Sequence, residues 1–257
     1  MRKVPTITAF FWIVKVLTTA LGESTSDFLV YNINSYVAVG LGALGLAIAI
    51  AIQFWTKKYN AWAYWFAVTM VAVFGTMAAD VIHIVLGVPY LYSTVFFSIC
   101  LVIIFALWWV VEKTLSIHSI TNPRRELFYW STVMATFALG TAAGDMTAFT
   151  FNLGFFSSGL LFAGVIALIA ILHYATKGWL TGHHQHQTRN AVLAFWLAYI
   201  FTRPLGASFA DWAGKVPKVG GLGWGDGIVS FGLAVLIIGF VWYLAATRID
   251  VERDRVA

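Results

Sequence analysis

Four aspartates, Asp27, Asp80, Asp145 and Asp211, fill one slot of a recurring pattern: Trp, nine residues, Gly, four residues, Asp. The copies are Trp12/Gly22/Asp27, Trp65/Gly75/Asp80, Trp130/Gly140/Asp145 and Trp196/Gly206/Asp211. All four acids lie in apolar sequence. An ionised side chain at a bilayer centre costs roughly 2.5–3.5 kcal/mol on insertion scales, so a chain that keeps four of them must pair, protonate or hydrate them. Intramembrane acids by default mark ion or substrate pathways. The plainer alternative is that they lie near the outer surface, or bond to backbone as neutral acids.

Glu23 precedes Asp27 by four residues and shares its helical face. Two carboxylates that close share a proton or clamp a cation, because both cannot ionise cheaply. Thr25, Thr76, Thr141 and Ser208 lie close to the motif glycines and add hydroxyl oxygens. The candidate metal ligands are therefore Asp27, Asp80, Asp145, Asp211 and Glu23, an all-oxygen set. It suits protons, Na⁺, Mg²⁺ or Mn²⁺ better than soft Cu(I).

His83 follows Asp80 by three residues and reads as a nitrogen ligand, a proton relay or a hydrogen-bonded interior histidine. Lys15 and Arg203 are the basic residues within apolar spans, and against the five acids they leave three excess negative charges. That favours a cationic guest or bound protons. Arg203 could instead hold one aspartate in a structural pair. His173 reads as interfacial, and the HHQH tract (His183, His184, His186) as a solvated loop or a weak metal-binding tract. No P-loop, HExxH, CxxC or nucleophile elbow is present, and the Gly-rich segment 220–227 is a turn with no strand before it.

These residues need helices to position them. With 60% hydrophobic and 11% charged residues, the chain has too little polar surface for a soluble globule. Apolar runs of about 20 residues, the length that crosses a bilayer, predict eight transmembrane helices near 7–30, 35–55, 61–86, 91–111, 127–151, 155–175, 191–213 and 227–246. The expected fold is an all-α polytopic membrane protein with a single membrane domain over 1–257. Its internal repeats run over about 7–58, 59–115, 127–178 and 190–247. Each repeat reads as a hairpin of a motif-bearing odd helix and an even return helix, and all four enter the membrane in the same direction. They would surround a pseudo-symmetry axis normal to the membrane, odd helices inside. The first helix reads as retained rather than cleaved, since Lys15 interrupts its apolar run.

The net charge of +5 maps onto one side of this topology. Arg2, Lys3, Lys57, Lys58, Lys113, Arg124, Arg125, Lys177, Arg189, Arg248, Arg253 and Arg255 fall together, and only Lys215 and Lys218 fall opposite. Both termini and the 112–126 and 176–190 loops are thus expected in the cytoplasm, with no nucleic-acid partner needed. The motif tryptophans, with Trp55, Trp108, Trp179 and Trp242, read as interfacial anchors. The glycines read as packing residues, because ESTS, TMAA, TAAG and ASFA after them are nearly all small. Gly206, after Arg203 and Pro204, is the candidate hinge or unwound turn.

With these motifs the sequence resembles a bacterial membrane family catalogued only as a repeat of unknown function, built from four tandem two-helix units each marked by a tryptophan. The resemblance spans essentially the whole chain and brings no activity with it. From the residues, the expected function is a secondary transporter or channel for a small cation in the bacterial inner (plasma) membrane. A divalent metal is the favoured substrate, proton coupling is an addition, and no resident cofactor is expected. The alternatives are a membrane redox or lipid-modifying enzyme, for which His83 and His173 are the only candidate histidine pair, and a structural or sensory subunit.

Overall fold

Short polar side chains start several of the helices by accepting otherwise unpaired first-turn N–H groups. Thr8 accepts from Phe11 N, Asn34 from Tyr36 N and Val37 N, Asn60 from Ala63 N, and Asn122 from Arg125 N with Pro123 at the first helical position. In the computed structural model, which describes residues 2–179 and 184–251, eight long helices result. They are α1 (Ala9–Asn32), α2 (Ser35–Trp55), α3 (Ala61–Asp80), α4 (Tyr90–Glu112), α5 (Pro123–Asp145), α6 (Gly154–Trp179), α7 (His184–Gly214) and α8 (Asp226–Thr247). No strand occurs among the described residues. His183 lies outside the described residues, as do the side chains of His184 and His186, so the HHQH reading is not addressed; the same holds for the side chains of Lys177, Trp179 and Arg189 and for residues 253 and 255.

Six helices, α2, α3, α4, α6, α7 and α8, are long and apolar enough to cross a membrane. The other two fall short for a reason visible in their residues. Lys15, Glu23 and Asp27 interrupt α1, and α5 is diluted by Ser131, Thr132, Thr136, Gly140, Thr141 and Gly144. Both are instead heavily buried by neighbours. The odd helices form a closed ring in which α1 packs on α3, α3 on α5, α5 on α7, and α7 back on α1.

The even helices surround this ring and turn large apolar side chains outward, among them Leu41, Leu44 and Ile48 on α2 and Phe231, Leu236 and Ile238 on α8. Their partners are not those expected of hairpins. Each even helix packs most extensively on the odd helix of the following repeat: α2 on α3, α4 on α5, α6 on α7, and α8 on α1. A uniformly apolar return helix has no polar stripe to hold it against its own predecessor, so the shape of the ring decides where it docks.

Both terminal segments meet at one end of the bundle. Thr6 N donates to Asp250 O at 2.8 Å, Tyr59 N to Arg2 O at 3.0 Å, and Lys3 N to Ile120 O at 3.3 Å. Lys3, read from sequence only as one of the charges on the basic side, is buried there. Its ammonium lies 2.6 Å from Glu126 Oε2 and 3.0 Å from Phe54 O, while Gln53 donates to Glu126 Oε1 at 3.1 Å.

Candidate functional site: an acidic centre in the ring of odd helices

Counting from each motif glycine, equivalent residues of the four repeats meet in layers. The glycines let the ring close. A Cβ added at Gly22 would sit 2.7 Å from the Ala72 carbonyl carbon, one at Gly75 2.8 Å from Phe137 Cβ, one at Gly140 2.6 Å from Arg203 Cβ, and one at Gly206 2.9 Å from Ala20 N. In lipid, small residues permit this approach of backbones.

Towards the terminal end lies a belt of aromatic rings. The residue before each motif tryptophan packs on the tryptophan of the next repeat: Phe11 on Trp65 (5.6 Å between centroids), Tyr64 on Trp130 (5.7 Å), Tyr129 on Trp196 (6.1 Å), and Phe195 on Trp12 (5.6 Å). The tyrosine hydroxyls of Tyr64 and Tyr129 are 2.5 Å apart. This overturns the reading of these tryptophans as interfacial anchors, since Trp65, Trp130 and Trp196 are buried and Trp12 is half-buried. Trp108 is also buried, whereas Trp55 and Trp242 are exposed. Interface and ring positions share the same depth on a helix, and only the face distinguishes them.

Beyond the belt, Lys15 is fully buried with its ammonium 4.1 Å from the centroid of Phe137 and 4.3 Å from that of Tyr199, and it makes no hydrogen bond. The faces of these two rings are the surface the side-chain nitrogen meets, a favourable one for a cation.

The next layer is organised by Arg203, which is wholly buried and reaches all the other odd helices. Its Nη2 donates to Glu23 Oε2 at 2.5 Å, to Thr141 Oγ1 at 2.7 Å, and to Thr76 Oγ1; its Nη1 reaches Thr19 O at 3.4 Å. Glu23, Thr76 and Thr141 each follow a motif glycine directly, and the fourth such position is Ala207, near the arginine itself. Thr25 is half-buried and Ser208 buried, and neither joins this network. The helix α7 continues through Pro204 and Gly206, so the backbone is not unwound there. The ring packs closely on both sides of this turn and holds it helical. Irregular backbone occurs instead directly after Asp80 and Asp145, as π-helical turns over Val81–Val85 and Met146–Thr150. Such single turns often mark functional positions.

The acids come last, at the end away from the termini. Ligand oxygens of Glu23, Asp27 and Asp211 lie within 4.8 Å of one another. Asp80 and Asp145 stand outside that cluster, half-buried, but within electrostatic range of Glu23 and Asp27. Glu23 and Asp27 are not the bare pair envisaged from their spacing, because each has a base against it: Arg203 on Glu23, and Lys215 on Asp27.

Lys215, taken from sequence as an outer-loop charge, is the residue the motif search missed. Its ammonium bonds Asp27 Oδ2, lies 3.4 Å from Asp226 Oδ2 and 3.9 Å from Asp211 Oδ1, and sits 5.1 Å from the centroid of Tyr31. Burial works against its charge, but Asp27, Asp211 and Asp226 outweigh that and hold it above the ordinary lysine range. The available signal was Lys215 four residues after Asp211 at a helix end, with Asp226 closing the same turn. The centre thus holds six acids, Glu23, Asp27, Asp80, Asp145, Asp211 and Asp226, against three bases, Lys15, Arg203 and Lys215.

His83 faces away from this centre. Its ring packs on Tyr90, tilted by 45° with centroids 4.4 Å apart, and its Nδ1 lies 3.3 Å from Val88 O and 3.3 Å from Ser93 Oγ. It ties its own turn together and is not placed as a ligand of the acids. His173 lines a groove beside Ile7 and Thr8, at the terminal end, so the two histidines cannot jointly ligate one group.

No curated protein and no solved structure matches the chain. Four tandem segments, residues 10–59, 63–114, 128–178 and 194–250, match one family of sequence repeats, and each contains one ring helix with its acid and one outer helix. The chain therefore belongs to the family described as Repeat of Unknown Function (DUF347).

Proposed function

We propose that the protein is a secondary transporter of a small cation, a multi-pass protein of the bacterial inner membrane with eight spans and both termini in the cytoplasm. The observation that carries the proposal is the excess of carboxylates, six against three bases, gathered within and at one end of a helical ring surrounded by apolar outer helices. Apolar surroundings make that excess costly, and a bound cation or protons relieve it. The oxygen donors of Glu23, Asp27 and Asp211 suit a hard divalent ion such as Mg²⁺ or Mn²⁺, with Asp80 and Asp145 as further stations.

A carrier fits better than an open channel. The aromatic belt and the Arg203 layer close the cytoplasmic half of the ring, whereas Asp80 and Asp145 keep partial exposure on the far side. Transport would require the odd helices to part at the belt while the acids stay loaded. The ring helices with their outer partners then form the moving bodies around an axis along the membrane normal.

Purified protein in liposomes, offered a panel of cations with and without a pH gradient, tests this. Wild type should accumulate at least one divalent cation, and a variant with Asp27, Asp80, Asp145 and Asp211 all changed to Asn should not. Equal fluxes from both proteins would end the proposal.

A further inference from the structure

Of the acids and bases named at the acidic centre, Lys215 alone comes from a connecting segment. It lies just past α7, where the chain turns back on the helix end: Leu222 N donates to Trp212 O at 2.6 Å, Gly223 N to Lys215 O at 2.8 Å, and Trp224 N to Ala213 O at 3.1 Å. Gly221 lies so close on the Lys215 backbone that an added Cβ would meet its carbonyl carbon at 2.5 Å. The segment therefore pins the start of the lysine side chain and leaves only the flexible stem to move.

The far end of that stem is a cation already seated where a cation would bind. It touches acids from three helices, Asp27 on α1, Asp211 on α7 and Asp226 on α8. Two oxygens around it have spare capacity: Asp211 Oδ1 and Asp226 Oδ1 are buried without a hydrogen bond. The donor set is thus not consumed by the lysine, whose side chain keeps 20% of its exposure and so has a route outward.

We propose that Lys215 is a tethered competitor for the cation site: its ammonium balances Asp27 while the site is empty and must swing away before a divalent cation can bind Asp27, Asp211 and Glu23. A tether supplies the competing charge at millimolar effective concentration or above, whatever the surrounding salt. A free monovalent ion brings no more charge than the ammonium it displaces. A divalent ion brings twice as much, so the lysine also selects for divalent ions. This rests on the cation-transport reading of the same centre.

Two measurements test it. In titrations of purified protein with Mn²⁺, Lys215→Gln should bind at least tenfold more tightly than wild type and should lose part of its preference for Mn²⁺ over Na⁺. Lys215→Arg should stay near wild type. In unmodified protein, Mn²⁺ should speed the reaction of Lys215 with an amine-acylating reagent, mapped by mass spectrometry, and Asp211→Asn should abolish the acceleration. The second measurement holds even if Lys215→Gln does not fold. Mn²⁺ binding that depends on Asp211 but is no tighter in Lys215→Gln, or a labelling rate that Mn²⁺ leaves unchanged, would overturn the competitor role and leave the cation site standing. Absence of Asp211-dependent binding in every variant would remove both.

Discussion

Removing Arg203 alone should be far more damaging than removing it together with the charge of Glu23. Arg203 has no exposed side-chain surface and Glu23 has 5%, so Arg203→Met strands a carboxylate where water cannot replace the lost partner. Breaking a buried pair from one side costs about 3–5 kcal/mol. The double variant Arg203→Met/Glu23→Gln has no stranded charge. Its threonines are not orphaned either, because Thr76 Oγ1 already donates to Ala72 O at 3.0 Å and Thr141 Oγ1 to Phe137 O at 3.2 Å. The neutral amide that replaces the Glu23 carboxylate then loses only hydrogen bonds, about 1–3 kcal/mol. The double variant should therefore be more stable than Arg203→Met by about 2 kcal/mol, the difference between these two ranges. Tryptophan fluorescence during thermal unfolding in detergent gives the order of midpoints, and denaturant titration gives the free energies. Single-variant losses that simply add in the double variant would refute the buried pair.

Replacing Trp130 by Ala opens the belt beside Tyr64 and Tyr129, and should let liposomes containing the protein leak cations that wild type retains, as a pH-decay trace would record. Gly22→Val should cost about 1–3 kcal/mol or more, since overpacked contacts between rigid backbones do not relax, whereas Gly40→Val, with open space at its Cβ, should be nearly neutral by the same thermal assay. At the terminal end, burial raises the Asp250 carboxyl above its ordinary range, against the smaller opposing effect of the hydrogen bond from Tyr59. A raised carboxyl favours the folded state most at low pH, and that contribution is lost as pH rises from the ordinary carboxyl range through the folded value. Asp250→Asn should flatten that part of the stability profile, while an unchanged profile would contradict the burial account.

The spacing of tryptophan, glycine and aspartate made the repeat and the inner position of the motif helices readable, because acids and small residues have few places to go in an apolar chain. The approximate helix limits followed from the apolar runs of about 20 residues. Partner choice did not follow. An outer helix such as α2, apolar on every face, carries no mark of whether it belongs to α1 or to α3. Trp65 was misread because a tryptophan at a given depth serves equally well facing lipid or facing the next ring helix. Lys215 was overlooked because it stands outside the repeat pattern, and its significance depends on α1 and α8 arriving beside it. The π turns after Asp80 and Asp145 arise from how the chain leaves the ring, which no local residue preference dictates.

The closure of α8 on α1 and the Arg203 network also constrain biogenesis. Glu23 is synthesised 180 residues before the arginine that neutralises it. At an elongation rate of roughly 5–20 residues per second, that interval lasts on the order of 10–40 s. During this time α1 carries Lys15, Glu23 and Asp27 with neither Arg203 nor Lys215 to meet them. On the membrane reading, the newborn first helix would settle poorly into lipid as an independent unit. It would be held at the insertion machinery or at the bilayer edge until the fourth repeat emerges, and the ring would close only with α7 and α8 in place. Truncated chains ending before α7 should consequently leave α1 accessible to aqueous reagents, making the fourth repeat the checkpoint of assembly.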